Sequence, residues 1–292
     1  MTSMLKRNIT ALVLISVALL FILLLRTVAV ELTDILFFIF MALGAYEMYS
    51  IGKKNGYNPI TLSIIICLIL IYPLFFLFEA AGLLSAIIIS VMTSLIVFVL
   101  SKDRFALKDL LYTVFVLFYP ILLCSSFFLI NRSAGNLLGL FLVFFITLLA
   151  DAFALFAGKL FGKKKLMPEV SPNKTVAGVF GAYFGGILGS TVVFLMFDAF
   201  HIFDGWNNVG ITAMSDNLYI SIPIYLILAV LGSTLAVLGD LAASWLKRKL
   251  NVKDFGRIFP GHGGVMDRLD SLLFVAPFIM CFFIMYNGVC SV

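Results

Sequence analysis

Long apolar runs recur along almost the entire chain, and they constrain its fold more than any other feature. Runs of about 17 residues or more can cross the hydrocarbon core of a bilayer as helices. About nine such spans are predicted: 9–25, 33–51, 60–78, 82–100, 107–130, 136–160, 175–197, 217–239 and 270–288. Because 63% of the residues are hydrophobic, this composition could not supply the water-facing surface of an ordinary soluble domain. We therefore expect an all-α polytopic membrane protein, a single integral membrane domain over residues 1–292.

Lysine and arginine are divided very unevenly between the loops that join these spans. With a cytosolic N-terminus, all of the 20 basic residues except Arg26 and Arg132 fall on the cytosolic side. Basic loops tend to stay in the cytosol, so we expect a plasma membrane location, the inner membrane of a bacterium, with the C-terminus outside. The net charge of +5 then lies on the inner face, where it suits anionic lipid headgroups and nucleotides. No nucleic-acid partner is expected.

The segment 244–270 is densely charged and lies between two apolar runs. Such charge beside a bilayer favours a polyanionic, phosphate-bearing substrate that is handled where the membrane meets water. Four polar residues at helical spacing line one face of a helix that enters this segment. They are Asp240, Ser244, Lys247 and Arg248. That face runs from a carboxylate near the membrane to two cations.

Two further carboxylates follow in the same segment. Asp267 and Asp270 would share a helix face if the last helix begins near Val265. With Asp240 they form a set of three carboxylates. This set suits Mg²⁺, which takes a few carboxylates and leaves its other positions to water and phosphate oxygens. The alternative is that Asp267 and Asp270 only cap the helix N-terminus, where negative charge is favoured.

A glycine-rich turn precedes these two carboxylates, and it reads Pro260-Gly261-His262-Gly263-Gly264. Its glycines allow backbone amides to approach an anion closely beside a helix N-terminus. Taken alone, the same turn also fits an ordinary flexible connection, with the histidine as a polar turn residue.

A second basic loop, 163–174, is also predicted on the cytosolic side. Its first lysines are explained by topology or by attraction to anionic lipid. The turn that follows is different, because Ser171 and Lys174 flank a rigid Ser-Pro step at a helix start. That arrangement is typical of a positioned phosphate contact.

Asp151 and Glu47 lie inside predicted spans, where an ionised carboxylate costs about 2.5–3.5 kcal/mol and needs a partner or a polar cavity. Asp151 is flanked by apolar residues for several turns, which favours a functional group over a structural ion pair. For Glu47 the two interpretations are even, because Tyr46 and Tyr49 could satisfy it.

The polar positions together resemble the signature of the phosphatidate cytidylyltransferases, or CDP-diacylglycerol synthases. The resemblance is carried by Gly239, Asp240, Ser244, Lys247, Arg248, Lys253, Asp254, Pro260, His262, Gly263, Gly264, Asp267, Arg268 and Asp270. The family's other polar region is matched by Asp151, Gly158, Gly162, Ser171, Pro172, Lys174 and Gly178. Departures from the family pattern occur at Ala243, Ala177 and Leu155. The N-terminal half matches only in character, with a glutamate in the second span.

The resemblance implies an enzyme of phospholipid synthesis that converts CTP and phosphatidate to CDP-diacylglycerol and pyrophosphate with Mg²⁺. It also implies a homodimer, and a polar active-site cavity on the cytosolic side. The chain would then comprise an N-terminal helical part, about 1–134, and a C-terminal catalytic part, about 135–292. Two metal ions would suit an in-line displacement between two anions, and charge neutralisation would matter more than a general base.

The resemblance also assigns roles to individual residues. The expected metal ligands are Asp240, Asp267, Asp151 and Asp270. The expected catalytic residues are Asp240, Asp267, Asp270, Lys247, Arg248, Arg268 and His262. The expected contacts to substrate phosphate are Ser171, Lys174, Ser244, Lys253, Gly261, Gly263 and Gly264.

Two other functions stay open at this point. A CTP-dependent lipid kinase of the polyprenol or phytol kind also joins lipid and nucleotide at this face, but it transfers the γ-phosphate. An ion- or proton-coupled transporter would use Glu47, Asp151 and Asp240 as a relay through the membrane. Against the transporter, the polar residues collect at one face, and the outer half of most spans lacks ionisable groups.

Overall fold

A computed structural model of the chain describes residues 23–102, 104–132, 135–211, 213–215, 217–256, 258 and 263–290. Within them the chain is almost entirely helical. The helices are α1 Val30–Lys54, α2 Thr61–Leu100, α3 Leu107–Arg132, α4 Asn136–Phe161, α5 Val176–Ala199, α6 Leu218–Lys249, α7 Met266–Leu269 and α8 Leu272–Cys290. Residues 9–22 of the first predicted span lie outside the described residues.

Six of these helices, α1 to α6, are long and apolar enough to cross a membrane. Helix α8 contains a shorter apolar stretch, Leu272–Asn287. The protein is therefore a helical membrane protein, as the sequence predicted. One small element was not foreseen. Strands β1, Lys165–Met167, and β2, Ser171–Thr175, form an antiparallel hairpin between α4 and α5. The predicted turn at 171–174 is therefore wrong, because these residues pair as a strand with β1.

Helix α2 is a helical hairpin rather than one straight rod. Its 40 residues would extend about 60 Å as a single helix, twice the thickness of a hydrocarbon core. The backbone leaves helical geometry at Glu79, where φ is 50° and ψ is −127°. A Cβ at Gly82 would lie 1.9 Å from the carbonyl oxygen of Leu74, and such proximity requires the chain to reverse. The reversal falls between the predicted spans 60–78 and 82–100.

Helices α4 and α5 pack backbone against backbone along a row of glycines. Gly181, Gly185 and Gly189 recur every fourth residue, so they face one side of α5. A Cβ at Gly185 would lie 2.1 Å from the carbonyl oxygen of Leu149, and the other two positions would meet α4 carbonyl oxygens at 2.4 Å. Small residues at this spacing let membrane helices approach closely. The contact holds α5 beside the part of α4 that carries Asp151.

A buried polar network lies near the start of α1. Asp34 has no exposed side-chain surface and accepts hydrogen bonds from Arg132 Nε at 2.6 Å and from Asn131 Nδ2 at 2.7 Å. Asn131 in turn accepts a hydrogen bond from Arg26, which also donates to the carbonyl oxygen of Asn208 at 2.8 Å. We call Arg26, Asp34, Asn131 and Arg132 the Asp34 network. It contains the two basic residues that the charge analysis placed away from the cytosolic side.

Candidate active site

A cavity of about 910 Å³ opens between α4, the β-hairpin, α5 and α6, and the segment that joins α7 to α8 completes its wall. Its charged lining residues are Asp151, Asp240, Asp270, Lys159, Lys165 and Lys174. Leu155, Val179 and Val237 add an apolar surface to the same wall. The cavity therefore offers both signs of charge and a hydrophobic side to a ligand.

Asp240 and Lys174 meet across this cavity from different elements. Lys174 belongs to β2, and the next residue, Thr175, caps α5 by accepting a hydrogen bond from the Gly178 amide at 3.1 Å. This cap holds the junction between β2 and α5, so that Lys174 Nζ lies 2.8 Å from Asp240 Oδ2. One turn further along α6, the hydroxyl of Ser244 donates to Asp240 Oδ1 at 3.5 Å. Ser171 also lines the cavity.

Asp270 and Asp151 line the cavity together with Asp240. Asp270 Oδ1 accepts a hydrogen bond from the amide of Ser271 at 2.8 Å. Burial and, after it, the negative charge of Asp240 raise the pKa of the Asp270 carboxyl above its usual range, although the charge of Lys247 opposes this shift. The carboxylates therefore repel one another, and a bound cation would relieve that repulsion.

The helix that carries Asp267 and Asp270 is shorter than the sequence suggested. It begins next to Val265, as predicted, but α7 ends after four residues, and α8 begins at Leu272. Asp270 lies at this interruption and lines the cavity, whereas Asp267 is not among the lining residues. Of the three carboxylates predicted to converge in one pocket, Asp240 and Asp270 line the cavity and Asp267 does not.

Asp267 is enclosed by other partners. Its Oδ2 accepts hydrogen bonds from the amides of Phe255 at 2.8 Å and Gly264 at 3.0 Å, and its Oδ1 pairs with Lys247 Nζ at 3.0 Å. Its side chain is only 8% exposed. Lys247 also lies over the ring of Phe255, 5.2 Å from the centroid. Asp267 thus joins the end of α6, the following loop and α7.

The other predicted site residues are more dispersed. Arg248 Nε donates to the carbonyl oxygen of Val170 beside the β-hairpin, at 3.5 Å. Lys253 and Arg268 are exposed. Gly263 adopts a positive φ of 85°, a left-handed conformation that favours glycine. The predicted residues Gly261 and His262 lie outside the described part of the chain.

Glu47 has partners that the sequence analysis did not anticipate. It is 3% exposed, and its Oε1 and Oε2 accept hydrogen bonds from the amides of Val265 and Met266, each at 2.9 Å. Tyr49 bonds instead to the hydroxyl of Thr61, and Tyr46 is 63% exposed, so the tyrosines do not satisfy the carboxylate. No sequence signal could reveal these donors, because every residue except proline carries a backbone amide.

Tyr119 is a second residue that the sequence analysis missed. It lies in a π-helical turn of α3, Leu117–Leu122, and is 5% exposed. Its hydroxyl has no hydrogen-bond partner within the described residues. The carboxylates that act on it electrostatically are Asp270, Asp240 and Asp267. A π-helical turn inside a helix often occurs at a functional site, and this turn contains Pro120.

The described residues contain no group of three acidic, histidine or cysteine side chains close enough to bind a metal ion by themselves. Mg²⁺ does not need such a group, since one or two carboxylates with water and substrate phosphates are sufficient. Asp240 and Asp270 are the candidates for such a pair, because both line the cavity.

Comparison with known proteins identifies the family of the chain. The sequence profile of the Cytidylyltransferase family matches residues 5–286. The chain is similar to the phosphatidate cytidylyltransferases of Staphylococcus epidermidis and Staphylococcus aureus, at 39% identity over 181 residues, and to that of Staphylococcus saprophyticus, at 35%. The aligned part is 62% of this chain and 62% of each relative's length. The family resemblance inferred from the polar signature is confirmed, and because the family profile matches nearly the whole sequence, the chain belongs to the cytidylyltransferase family.

Proposed function

We propose that the protein is a phosphatidate cytidylyltransferase, which converts CTP and phosphatidate to CDP-diacylglycerol and pyrophosphate. The observation that carries the proposal is the cavity in which Asp240 and Lys174 meet, 2.8 Å apart. Its charged and apolar surfaces suit a nucleotide and a lipid phosphate. The similar staphylococcal proteins bear this enzyme's name, and the family assignment favours neither the lipid kinase nor the transporter.

In the proposed reaction, a phosphate oxygen of phosphatidate forms a bond to the α-phosphorus of CTP, and the bond to pyrophosphate breaks. The attacking phosphate is already anionic at neutral pH, so the enzyme must align two anions rather than remove a proton. Lys174 and Lys247 supply positive charge for the phosphates from β2 and α6. Lys159 and Lys165 add charge at the exposed part of the cavity lining.

The proposal includes Mg²⁺ held by Asp240 and Asp270, with Asp151 in support. When bound, a divalent cation neutralises charge that develops on phosphate oxygens. Both oxygens of Asp267, a predicted primary ligand, already have partners, because Oδ2 accepts two amide hydrogen bonds and Oδ1 pairs with Lys247. A metal contact of Asp267 therefore stays a prediction. A second metal ion stays a prediction.

We further propose nine spans in a plasma membrane, the inner membrane of a bacterium, with the N-terminus and the cavity on the cytosolic side and the C-terminus outside. Two observations support this arrangement. Helix α2 doubles back at Glu79, and the lysine-bearing ends of α4 and α6 adjoin the cavity. A homodimer is also part of the proposal, and its support is the family resemblance.

Radiolabel placement tests the activity. Purified protein with phosphatidate, Mg²⁺ and CTP labelled at the α-phosphorus is expected to yield labelled lipid, whereas CTP labelled at the γ-phosphorus is expected to yield none. The Asp240→Asn variant, purified in parallel, controls for contaminating enzymes. Lipid labelled only from the γ-position would identify a lipid kinase and overturn the proposal.

Cysteine labelling tests the orientation. In a background cleared of the four native cysteines, Ser171→Cys is expected to react with an impermeant reagent only after the membrane is opened. Asp204→Cys is expected to react in intact cells. The reverse pattern would place the cavity outside and contradict the proposed orientation.

A further inference from the structure

The carboxylate of Glu47 occupies a space that only two glycines leave open. A Cβ at Gly256 would lie 2.0 Å from Glu47 Oε1, and a Cβ at Gly264 would lie 2.4 Å from the same oxygen. The hydrogen bonds from Val265 and Met266 close the opposite side. The side chain of Glu47, on α1, is therefore enclosed by the backbone on both sides of the segment 257–263.

Asp267 joins the same two stretches of backbone from another direction. It accepts one hydrogen bond from Phe255, before this segment, and one from Gly264, after it. Between them, Glu47 and Asp267 satisfy four amides, those of Phe255, Gly264, Val265 and Met266. The start of α7 is thus fixed by two carboxylates, of which only Asp267 belongs to α7 itself.

The geometry at Glu47 requires a carboxylate rather than any polar group. Its two oxygens accept from two consecutive amides at the start of α7, where negative charge is favoured. A glutamine would offer one acceptor and one donor group, so one of the amides would face another donor. Within the described residues, no lysine, arginine or histidine forms an ion pair with Glu47. Both oxygens of the carboxylate therefore have hydrogen-bond donors, which are the amides at the start of α7.

We infer that Glu47 is a positioning residue for the cytidylyltransferase reaction, which holds the start of α7 so that Asp270, at the end of α7, keeps the orientation that metal binding needs. This inference rests on the proposed function. Glu47 itself does not line the cavity, whereas Asp270 does, so Glu47 acts through α7 and Asp270. Partners that orient metal ligands commonly contribute 10- to 100-fold to metal affinity, on the order of the effect expected here.

Asp34 provides a matched control on the same helix. It is as deeply buried as Glu47 and also accepts hydrogen bonds at both carboxylate oxygens, though from side chains, and it lies about 20 Å away along α1. A general loss of stability in α1 would follow from either substitution. Only the loss of Glu47 is expected to alter the response of the protein to Mg²⁺.

The test compares full-length Glu47→Gln and Asp34→Asn in the same detergent. The first readout is the Mg²⁺ concentration that gives half of the maximal rise in Tm, because a ligand that binds the folded state raises stability. The second is the Mg²⁺ concentration for half-maximal formation of labelled lipid. For Glu47→Gln, both concentrations are expected to rise about tenfold. For Asp34→Asn, Tm in the absence of Mg²⁺ is expected to fall while both concentrations stay at the wild-type value.

Gly264→Ala perturbs the same contact from the other side and is expected to shift Mg²⁺ dependence in the same direction. It decides the matter if Glu47→Gln does not fold. Wild-type Mg²⁺ dependence in the folded variant, with only a lower Tm, would show that Glu47 is structural and overturn the inference. Failure of the proposed function is distinguishable, because the wild type itself would then form no labelled lipid.

Discussion

The Asp34 network and the candidate active-site cavity both contain carboxylates, but their negative charge is compensated in different ways. Asp34 is wholly buried and has Arg132 and Asn131 within 2.7 Å. In the cavity, the side chain of Asp240 is 37% exposed, and its partner Lys174 stands in a wall that also holds Asp151 and Asp270. The first group is closed by the protein alone, and the second is left open to solvent and ligands.

This difference separates a stabilising network from a binding site within one helical bundle. A buried ion pair with complete hydrogen bonding holds helices in register, and removal of one partner is strongly destabilising. Carboxylates that crowd one another around a cavity reduce stability until a cation or a substrate complements them, which is typical of functional sites. Substitutions in the two groups should therefore separate into losses of stability and losses of activity.

The largest effect is expected from Asp240→Asn. If Asp240 holds the proposed Mg²⁺, its loss should raise the barrier by several kcal/mol, which lowers the rate of CDP-diacylglycerol formation by about 10³-fold or more. Its Tm should stay near the wild-type value, because the ion pair with Lys174 is partly exposed. Turnover within a few-fold of wild type would remove Asp240 from the site and break the comparison.

Asp34→Asn should show the opposite behaviour. It leaves Arg132 without its buried partner, so the free energy of unfolding is expected to fall by about 3–5 kcal/mol. Turnover per folded molecule should be unchanged, because the network lies far from the cavity. Denaturant titration with a parallel assay of the folded fraction measures both quantities. Normal stability with impaired turnover would instead make the Asp34 network part of the active site.

The smallest effect is expected from Lys174→Gln. This variant removes one proposed phosphate contact and the partner of Asp240. The expected tenfold fall in kcat/KM for CTP corresponds to about 1.4 kcal/mol. Lys163→Gln is the matched control, since Lys163 is exposed on the same loop but does not line the cavity. Equal losses in both variants would indicate a general effect of surface charge rather than a contact made by Lys174.

The helices were predictable because apolar length is a strong signal. The break at Glu79 falls between two predicted spans, and the spacing of Asp240, Ser244 and Lys247 placed them correctly on one helix. The β-hairpin was not predictable, because its strands are three and five residues long and β2 begins with a serine and a proline. Neither strand shows the alternation of apolar and polar residues that indicates a strand.

Contacts between distant segments of the chain were the other feature that could not be predicted from the sequence. The pairing of Lys174 with Asp240 follows from the way α5 and α6 pack, and periodicity within one helix carries no such information. The partners of Glu47 lie 218 and 219 residues away and are backbone amides. The different environments of Asp267 and Asp270 depend on where α7 ends, and helix ends are the least predictable part of an element.

The glycine row between α4 and α5 has a consequence for how this protein can diverge. Residues of α5 that face lipid can change freely in shape, since the acyl chains around them adapt. One added methyl group at Gly185 would meet the Leu149 carbonyl oxygen and force the two helices apart. Both helices line the cavity, so related sequences can vary the outer surface of α5 widely and still keep the same cavity width.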